Sequence, residues 1–322
     1  MKLTKRAVAL AVAVVMALSL TACNSSNGNS DAKYRVGIIQ QLEHQALDAA
    51  TDGFRQALID TLGEENVTFD FQNAQNDANN CTTIVTKFVT DKVDLIMANA
   101  TTALQAAAAA TDSIPVVGTS ITDYISAGVI DSNDKPGRNV TGASDLAPID
   151  QQIALLTELC PEAKHIGIVY CSSESNSAFQ GEQAQKYLTA AGLTSEIFTF
   201  SDSNDMQGVL TSVVSKVDAI YIPTDNTAAE NMEMVKNITV PAGIPVVTGE
   251  ENMCSVGGLA TLSISYYSMG YSAGQMAAEI LKDGKNPADM PIVYATETTG
   301  KYNADIAAEL NWAIPAGLEA VK

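Results

Sequence analysis

The sequence predicts an α/β protein made of two similar halves, each built around an open parallel β-sheet. Three observations predict this fold class. Short apolar runs alternate with amphipathic segments of roughly 10–20 residues from residue 33 onward. The same alternation restarts near residue 164, and a chain of 322 residues is long enough for two domains. Strands that alternate with helices of this length imply right-handed βαβ units and therefore parallel sheets.

The first half begins with a compact apolar strand at Tyr34–Ile39. Apolar residues then recur at helical spacing from Ala46 to Leu62, which predicts the first helix. Three more strands and two more helices complete this half. The strands are predicted at Val67–Phe71, Asp94–Ala98 and Ile114–Gly118, and the helices around Ile84–Val89 and at Thr101–Thr111.

The second half follows the same order. Its strands are predicted at His165–Tyr170, Thr194–Phe200, Asp218–Ile222, Ile244–Val247 and Val256–Thr261, and its helices at Ser175–Ala191, Asp205–Ser215 and Thr227–Asn237. A long helix at Tyr266–Leu281 carries Gly270 and Gly274, a pair that permits close packing against a neighbour. A further strand is predicted at Met290–Tyr294 and a final helix at Ala304–Trp312.

Three segments are predicted to cross between the halves: Val140–Ala147, Ser263–Ser265 and Thr296–Thr299. Three crossings interleave the two domains along the chain. Residues 34–142 and about 264–294 then form an N-terminal lobe, and residues about 147–262 and 297–322 form a C-terminal lobe. Several short connections between two rigid lobes make a hinge.

The first 22 residues are predicted to be an export signal. Three basic residues precede an apolar run at residues 7–20 that is too short to span a membrane. The segment ends in Leu20-Thr21-Ala22-Cys23, which matches the bacterial lipoprotein box. We therefore expect cleavage before Cys23, lipidation of its thiol, and a polar tether over residues 23–33. The rest of the protein would then lie outside the cell, anchored to the membrane.

Composition excludes several classes of function. The whole chain has a formal charge of −19; removing residues 1–22 takes away three basic and no acidic residues, which leaves −22. Nucleic acids and anionic lipid head groups are recognised by clustered Lys and Arg, so neither is an expected partner. The sequence contains no GxSxG, P-loop or HExxH motif and only two histidines. We therefore expect no enzyme, no cofactor and no metal site.

Four cysteines remain beyond Cys23. They allow three disulfide pairings, among which the sequence does not choose, and buried or only partly paired thiols are the favoured interpretation. These cysteines are Cys81, Cys160, Cys171 and Cys254.

The candidate ligand site is the set of polar residues that follow the predicted strands. In open parallel sheets, ligands bind beyond the carboxyl ends of the strands. Nearly every strand end here is followed by Thr, Ser, Asn, Gln or a carboxylate, and none by Lys or Arg. The candidates in the first half are Gln41, Thr101, Thr102, Thr119 and Ser120, together with Asp145 in the first crossing. The candidates in the second half are Tyr170, Glu174, Asn176, Ser177, Asp225, Asn226 and Glu250.

Each of these polar residues also has a structural interpretation, because Ser, Thr, Asn and Asp are ordinary helix N-caps. Thr101, Thr102 and Asp225 fit that role. A helix N-terminus with free N–H groups and hydroxyls nevertheless binds a carboxylate without any cation. The set as a whole predicts a zwitterionic ligand, whose carboxylate meets the hydroxyls of the first lobe and whose ammonium meets Asp225, with Glu174 or Glu250.

Aromatic residues and His44 near the strand ends are ambiguous. Tyr124, Tyr170 and Phe179 are candidates for lining an apolar pocket, and Tyr170 and Phe179 are equally well explained as core. His44 is predicted to begin a helix and not to act as a base.

Six short segments recur together in one protein family. They are Gly37-Ile-Ile-Gln-Gln-Leu-Glu-His44 with Ala46-Leu47-Asp48, Asn73-Ala-Gln-Asn-Asp77, Pro148-Ile-Asp-Gln-Gln152, Ser173-Glu-Ser-Asn-Ser177, Ile222-Pro-Thr-Asp-Asn226, and Ile264-Ser-Tyr-Tyr267 with Gly270. With these segments the chain resembles the bacterial ABC-transporter substrate-binding lipoproteins of the tryptophan/tyrosine uptake type. The resemblance implies two flavodoxin-like lobes of a class I periplasmic binding protein, joined by three crossovers. It also implies a cleft for an aromatic amino acid and an ABC permease as partner.

Three alternatives stay open. The protein binds another small solute such as a sugar or nucleoside, presents its ligand to a sensor kinase, or is a lipid-anchored hydrolase. The last is disfavoured because no nucleophile–base set is recognisable.

Overall fold

The computed structural model describes residues 32–321, which form two β-sheets flanked by helices. The strands are β1 (Tyr34–Gln40), β2 (Val67–Asn73), β3 (Leu95–Asn99), β4 (Val116–Ile121), β5 (Val140–Ser144), β6 (His165–Cys171), β7 (Thr194–Phe200), β8 (Ala219–Ile222), β9 (Val246–Thr248), β10 (Ala260–Ser263), β11 (Val293–Tyr294), β12 (Thr299–Tyr302) and β13 (Glu319–Ala320). The α-helices are α1 (Gln45–Leu62), α2 (Ala78–Asp91), α3 (Thr101–Ala110), α4 (Ile149–Leu159), α5 (Ser175–Ala190), α6 (Ser203–Val213), α7 (Asn226–Glu230), α8 (Met232–Thr239), α9 (Glu251–Val256), α10 (Tyr266–Asp283) and α11 (Ala304–Glu309).

Both sheets are doubly wound. The first has the order β11-β5-β4-β3-β1-β2, and its strand pairs are parallel. The second has the order β13-β12-β10-β9-β8-β6-β7, in which the β10–β12 pair is antiparallel. In each sheet the first strand lies between the second and third, which is the flavodoxin-like arrangement. The predicted fold class is therefore confirmed.

The chain passes between the two sheets three times. It leaves the first sheet after β5, returns through α10 and β11, and leaves again to form β12. The crossings lie between Ser144 and Ile149, between Ser263 and Tyr266, and between Tyr294 and Thr299. Three short stretches of chain therefore link the two sheets at the edges where their strands end.

Helix α10 packs very closely along α1 after the second crossing. A side chain on Gly270 would overlap the carbonyl oxygen of Ala50, and one on Gly53 would overlap that of Tyr267. A side chain on Gly274 would likewise overlap the carbonyl oxygen of Phe54, so the expected role is confirmed for both α10 glycines. The close approach matters because it ties α10, which begins at the crossing, rigidly to the first sheet.

Each sheet buries apolar residues on both faces. Along β1, Val36 and Ile38 join one cluster whereas Ile39 joins the other, as the alternation of side chains in a strand requires.

Within residues 32–321 the four cysteines are buried and unpaired, so none of the three possible pairings forms.

Several predicted boundaries are wrong. The strand predicted at Val256–Thr261 starts too early, because α9 extends to Val256 and β10 begins only at Ala260. The helix predicted at Thr227–Asn237 is two helices separated at Asn231. Short apolar runs do not distinguish strand from buried helix, which explains these errors. The apolar periodicity of the sequence also did not predict helix α4 or strand β12.

No helix in the described part of the chain is long and apolar enough to cross a membrane. The predicted export signal, Cys23 and most of the tether lie outside the described residues.

Candidate functional site

The carboxyl ends of β1, β3 and β4 lie side by side at one edge of the first sheet. The N–H of Gln41 donates to the carbonyl of Asn99 at 3.2 Å, and the N–H of Ala100 donates to the carbonyl of Thr119 at 3.1 Å. These hydrogen bonds bring together buried polar side chains from three strand ends: Gln41, Asn99, Thr101, Thr119 and Ser120. The expected convergence at the sheet edge is therefore present.

Two residues at this edge have left-handed backbone conformations. Ala100 has φ of +84° and Ser120 has φ of +57°, and such conformations cost about 1–3 kcal/mol each in a residue other than glycine. Ser120 also lies in a bulge, since β4 has one more residue than β5 between the Gly118–Gly142 and Ile121–Ser144 pairs. Bulges commonly redirect a side chain next to a functional site.

The edge of the second sheet contributes carboxylates that hold helix N-termini. Glu174 accepts from the N–H groups of Asn226 (3.1 Å) and Thr227 (2.9 Å) at the start of α7. It also accepts from the side chains of the same two residues, at 2.7 and 2.8 Å. Both oxygens of Glu174 are therefore engaged within their own lobe.

Asp225 and Glu250 are N-caps. Asp225 accepts from the N–H groups of Cys171 and Ala228, both at 2.7 Å. Glu250 accepts from the N–H groups of Asn252 and Met253, both at 2.6 Å. The capping interpretation of Asp225 is confirmed, and both of its oxygens have backbone donors.

Asp145 differs from these three carboxylates. It lies in the first crossing, is 4% exposed, and accepts hydrogen bonds from the hydroxyls of Thr122 (3.2 Å) and Tyr266 (3.0 Å). A hydroxyl can rotate towards another acceptor, whereas a helix N–H cannot. Asp145 is thus the cleft carboxylate that is freest to take a new partner.

Burial raises the pKa of the cleft carboxyl groups. Desolvation raises the pKa of Asp145 to about 6, although the hydrogen bonds from Tyr266 and Thr122 oppose it. Desolvation likewise raises the pKa of Glu250 to about 7 against its two backbone donors. Burial and then the nearby charge of Glu174 raise the pKa of Asp225. A cation bound here would stabilise the charged forms of these groups.

A narrow cavity lies between the two edges. Its interior volume is only about 10 Å³, enough for about one water molecule, so an amino acid can enter only after the two edges move apart. No Lys or Arg lines it in the described structure. The lining residues are His44, Leu47, Ser120, Asp145, Asn176, Thr224, Asp225, Asn226, Ala229, Glu250, Met253 and Tyr266.

Buried polar atoms that lack hydrogen-bond partners are concentrated in this region. Of eight such side-chain atoms in residues 32–321, all but one, on Asn133, belong to residues that line the cavity or lie at the first-sheet edge. The seven are Gln41 Oε1, His44 Nδ1, Asn99 Oδ1, Thr101 Oγ1, Thr119 Oγ1, Ser120 Oγ and Asn176 Oδ1. Leaving one such atom unsatisfied costs about 1–3 kcal/mol, so this concentration is typical of a polar ligand site.

Direct hydrogen bonds join the lobes around the cavity. The side-chain amide of Asn76 donates to the hydroxyl of Thr227 at 2.9 Å, and that of Gln180 donates to the hydroxyl of Thr122 at 3.3 Å. A third contact, at 3.3 Å, joins Nε2 of His44 to Oδ1 of Asn226. The two edges therefore touch each other around the space that they enclose.

Comparison with known proteins identifies the family. The family described as ABC transporter substrate binding protein matches residues 35–320. The chain belongs to this family. It is thus a substrate-binding protein that works with an ABC transporter, and its family is one of extracytoplasmic binding proteins, not of enzymes.

Individual relatives agree with this assignment. The substrate-binding protein is 38% identical over 315 residues to a tyrosine-binding protein of Clostridioides difficile (strain R20291), covering 94% of this chain and 91% of that one. It is similar to the ABC domain in complex with L-Trp from Streptococcus pneumonia, with a TM-score of 0.87 and 34% identity over 90% of this chain and all of that one. A conserved domain protein from Vibrio cholerae gives a TM-score of 0.86 at 31% identity, over 90% of this chain and 100% of that one.

A ligand-free, open structure gives a poorer fit. It is a substrate-binding protein with adhesive properties from Clostridium difficile, 38% identical, with a TM-score of 0.70 over 90% of this chain and 99% of that one. The sequence identity is higher than for the L-Trp complex, yet the structural similarity is lower. The lobes here are therefore arranged more as in the L-Trp complex than as in the open structure.

The predicted site residues fall into three groups. Six line the cavity: Ser120, Asp145, Asn176, Asp225, Asn226 and Glu250. Gln41, Thr101 and Thr119 are buried at the first-sheet edge, each with an unpartnered atom. The other polar candidates are outside the lining: Glu174 holds α7, Ser177 hydrogen-bonds Asp225, and Thr102 is half-buried on the first turn of α3.

The aromatic candidates, Tyr170 among them, are not in the lining of this cavity. Tyr170 packs in the core of the second lobe against Gly181. Tyr124 is buried in the first lobe and donates to the carbonyl of Ala143 at 3.1 Å. Phe179 borders a separate hollow on the surface. Sequence position near a strand end does not indicate to which side a ring points.

Sequence reasoning overlooked several cavity residues, of which Tyr266 and His44 are the most informative. Tyr266 directly follows the second crossing, and this position could have indicated that it faces the cleft. His44 is the N-cap residue of α1, as predicted, but its side chain makes no capping hydrogen bond. The other cavity residues that are not among the candidates named from the sequence are Leu47, Thr224, Ala229 and Met253.

Proposed function

We propose that the protein binds a zwitterionic aromatic amino acid in the interlobe cavity and delivers it to an ABC transporter. The observation that carries this proposal is the cluster of seven unpartnered polar atoms beside buried carboxylates, with no cation lining the described cavity. Such a site needs a ligand that brings its own positive charge and several hydrogen-bond donors.

The carboxylate of the ligand would lie at the first-sheet edge. Helix α3 begins there, and its N-cap residue Ala100 has no side chain that could cap the first N–H groups. The hydroxyls of Thr101, Thr119 and Ser120 are buried nearby and have no partners. Free helix N–H groups and hydroxyls form a carboxylate site that needs no Lys or Arg.

The ammonium group would bind between Asp145 and Asn176. The amide nitrogen of Asn176 donates to the carbonyl of Thr224 at 3.2 Å, which leaves Oδ1 as an unpartnered acceptor on the cavity side. Asp145 can accept from the ammonium while its two hydroxyl partners adjust.

The side chain of the ligand would lie against the apolar residues of the cavity, which must widen to admit it. Leu47, Ala229 and Met253 line it, and Leu42, Leu47 and Ala100 form a small buried apolar cluster beside it. The tyrosine-binding and L-Trp-bound relatives favour an aromatic side chain for this part of the ligand.

Ligand capture would involve rotation of the lobes about the three crossings. The moving bodies would be residues 34–142 with about 264–294, and residues about 147–262 with 297–322. Because the cavity takes residues from both edges, a ligand would stabilise the closed arrangement by its higher affinity for that state.

Ligand release tests this function. The purified protein is denatured, and the released small molecules are identified by mass spectrometry; calorimetry then measures binding of Tyr, Trp and Phe alongside a hexose and a nucleoside. We expect an aromatic amino acid in the first experiment and binding confined to amino acids in the second. A sugar or nucleoside as the tight ligand would refute the proposal.

We further propose that Cys23 carries a lipid anchor, because it ends a signal sequence with a lipoprotein box. Cys23→Ala should move the protein from the membrane fraction to the medium or periplasm, with ligand affinity unchanged. A wild-type protein that lacks diacylglycerol by mass spectrometry would contradict this.

A further inference from the structure

His44 places an unused hydrogen-bond acceptor beside the apolar part of the cavity. Its Nδ1 atom is buried and has no partner, although the residue lines the cavity. The ring is not a helix cap, since it makes no capping hydrogen bond at α1. It follows that the Nδ1 atom has no partner within the fold.

The hydrogen-bond network determines the tautomer of this ring. The amide nitrogen of Asn226 donates to Glu174 at 2.7 Å, so Oδ1 of Asn226 is the atom that faces His44 Nε2 at 3.3 Å. Nε2 must therefore carry the proton and donate it. Burial lowers the pKa of His44, which keeps the ring neutral. Nδ1 is then left with a lone pair and no hydrogen.

His44 lies beside the part of the cavity that would hold the ligand side chain. Leu47 lies in the first turn of α1, three residues after His44, and both residues line the cavity. His44, Ala229 and Glu250 also line an adjoining outer pocket. His44 thus stands where the apolar part of the cavity meets its outer opening.

We propose that His44 Nδ1 accepts a hydrogen bond from the ligand side chain, and so selects aromatic amino acids that carry an O–H or N–H donor over those that carry none. This inference rests on the proposed function. It predicts that Tyr or Trp binds more tightly than Phe, because Phe would leave a buried acceptor unsatisfied. His44 would then be a specificity residue, and its contact with Asn226 would serve both to join the lobes and to orient the ring.

Two substitutions separate these roles. His44→Gln keeps a nitrogen near the position of Nε2 that can still donate to Asn226, but has no acceptor at the position of Nδ1. His44→Asn keeps an acceptor near Nδ1 but does not reach Asn226. Calorimetry with Tyr, Trp and Phe is performed on the wild type and both variants. We expect wild-type affinity for the better of Tyr and Trp to exceed that for Phe about 5- to 150-fold. This preference should vanish in His44→Gln and survive in His44→Asn.

The outcomes distinguish the two proposals. If no amino acid binds the wild type, the proposed function fails. If all three bind equally, or if the preference persists in His44→Gln, only the inference about His44 is overturned. Equal weakening of all three ligands in His44→Gln also overturns it, since His44 would then contact the part common to all amino acids. A further measurement uses only the wild type and so does not depend on the folding of a variant. The ¹⁵N resonance of His44 Nδ1 should shift when the preferred donor-bearing ligand binds and should not shift with Phe. The signal can be assigned because the chain has only one other histidine, His165.

Discussion

Replacement of Asp145 by Asn should remove most of the affinity for an amino acid while leaving the fold intact. Asp145 is the cleft carboxylate whose partners are the hydroxyls of Thr122 and Tyr266, and Asn retains an oxygen that can accept from either. The variant loses the negative charge that would face the ammonium. A hydrogen bond to a charged group contributes about 1.5–3 kcal/mol, which corresponds to an affinity about 10- to 150-fold weaker. Calorimetry measures this loss directly.

Asp225→Asn is the matched control, because Asp225 is equally buried but bonded to backbone N–H groups. The amide of Asn would turn an N–H₂ group towards the N–H of Cys171 or Ala228, and this should cost about 1–3 kcal/mol of stability. We therefore expect Asp225→Asn to lower the melting temperature more than Asp145→Asn does, and to affect affinity less. The reverse result, with affinity lost in Asp225→Asn and kept in Asp145→Asn, would refute the assignment of the ammonium site.

Two other predictions concern stability. The folded-state pKa values of Asp145 (about 6) and Glu250 (about 7) lie above the ordinary values of about 4 in an unfolded chain, so the folded protein binds more protons between these limits. The melting temperature of the ligand-free protein should consequently fall as pH rises from about 4 to 7. A saturating amino acid should flatten this slope. A ligand-free melting temperature that rises over this range would contradict the argument. Gly270→Ala should destabilise the protein by about 1–3 kcal/mol in chemical denaturation, because the added methyl group overlaps the carbonyl of Ala50. Gly208→Ala, in the interior of α6 with open space around it, should instead stabilise by about 0.5–1 kcal/mol, and equal effects of the two substitutions would refute the packing explanation.

The sequence by itself determined the architecture and the kind of chemistry at the strand ends. Strand β1 and the helix after it follow from apolar periodicity, and the restart near residue 164 indicates the second lobe. The polar residues at the ends of β1, β3 and β4 were predictable because the carboxyl ends of parallel strands share one edge. Local spacing determines these features, so local sequence is sufficient to predict them.

Only the tertiary structure decided which side chains have partners within the protein. Asp225 and Glu250 carry the same chemical group as Asp145, yet backbone N–H groups occupy their oxygens, whereas Asp145 meets rotatable hydroxyls. His44 has an unpartnered atom because Asn226, 182 positions away, fixes its other nitrogen. Tyr170 packs into the core although it lies near the end of a strand. Hydrogen-bond satisfaction depends on groups distant in the chain, and no local pattern in the sequence records it.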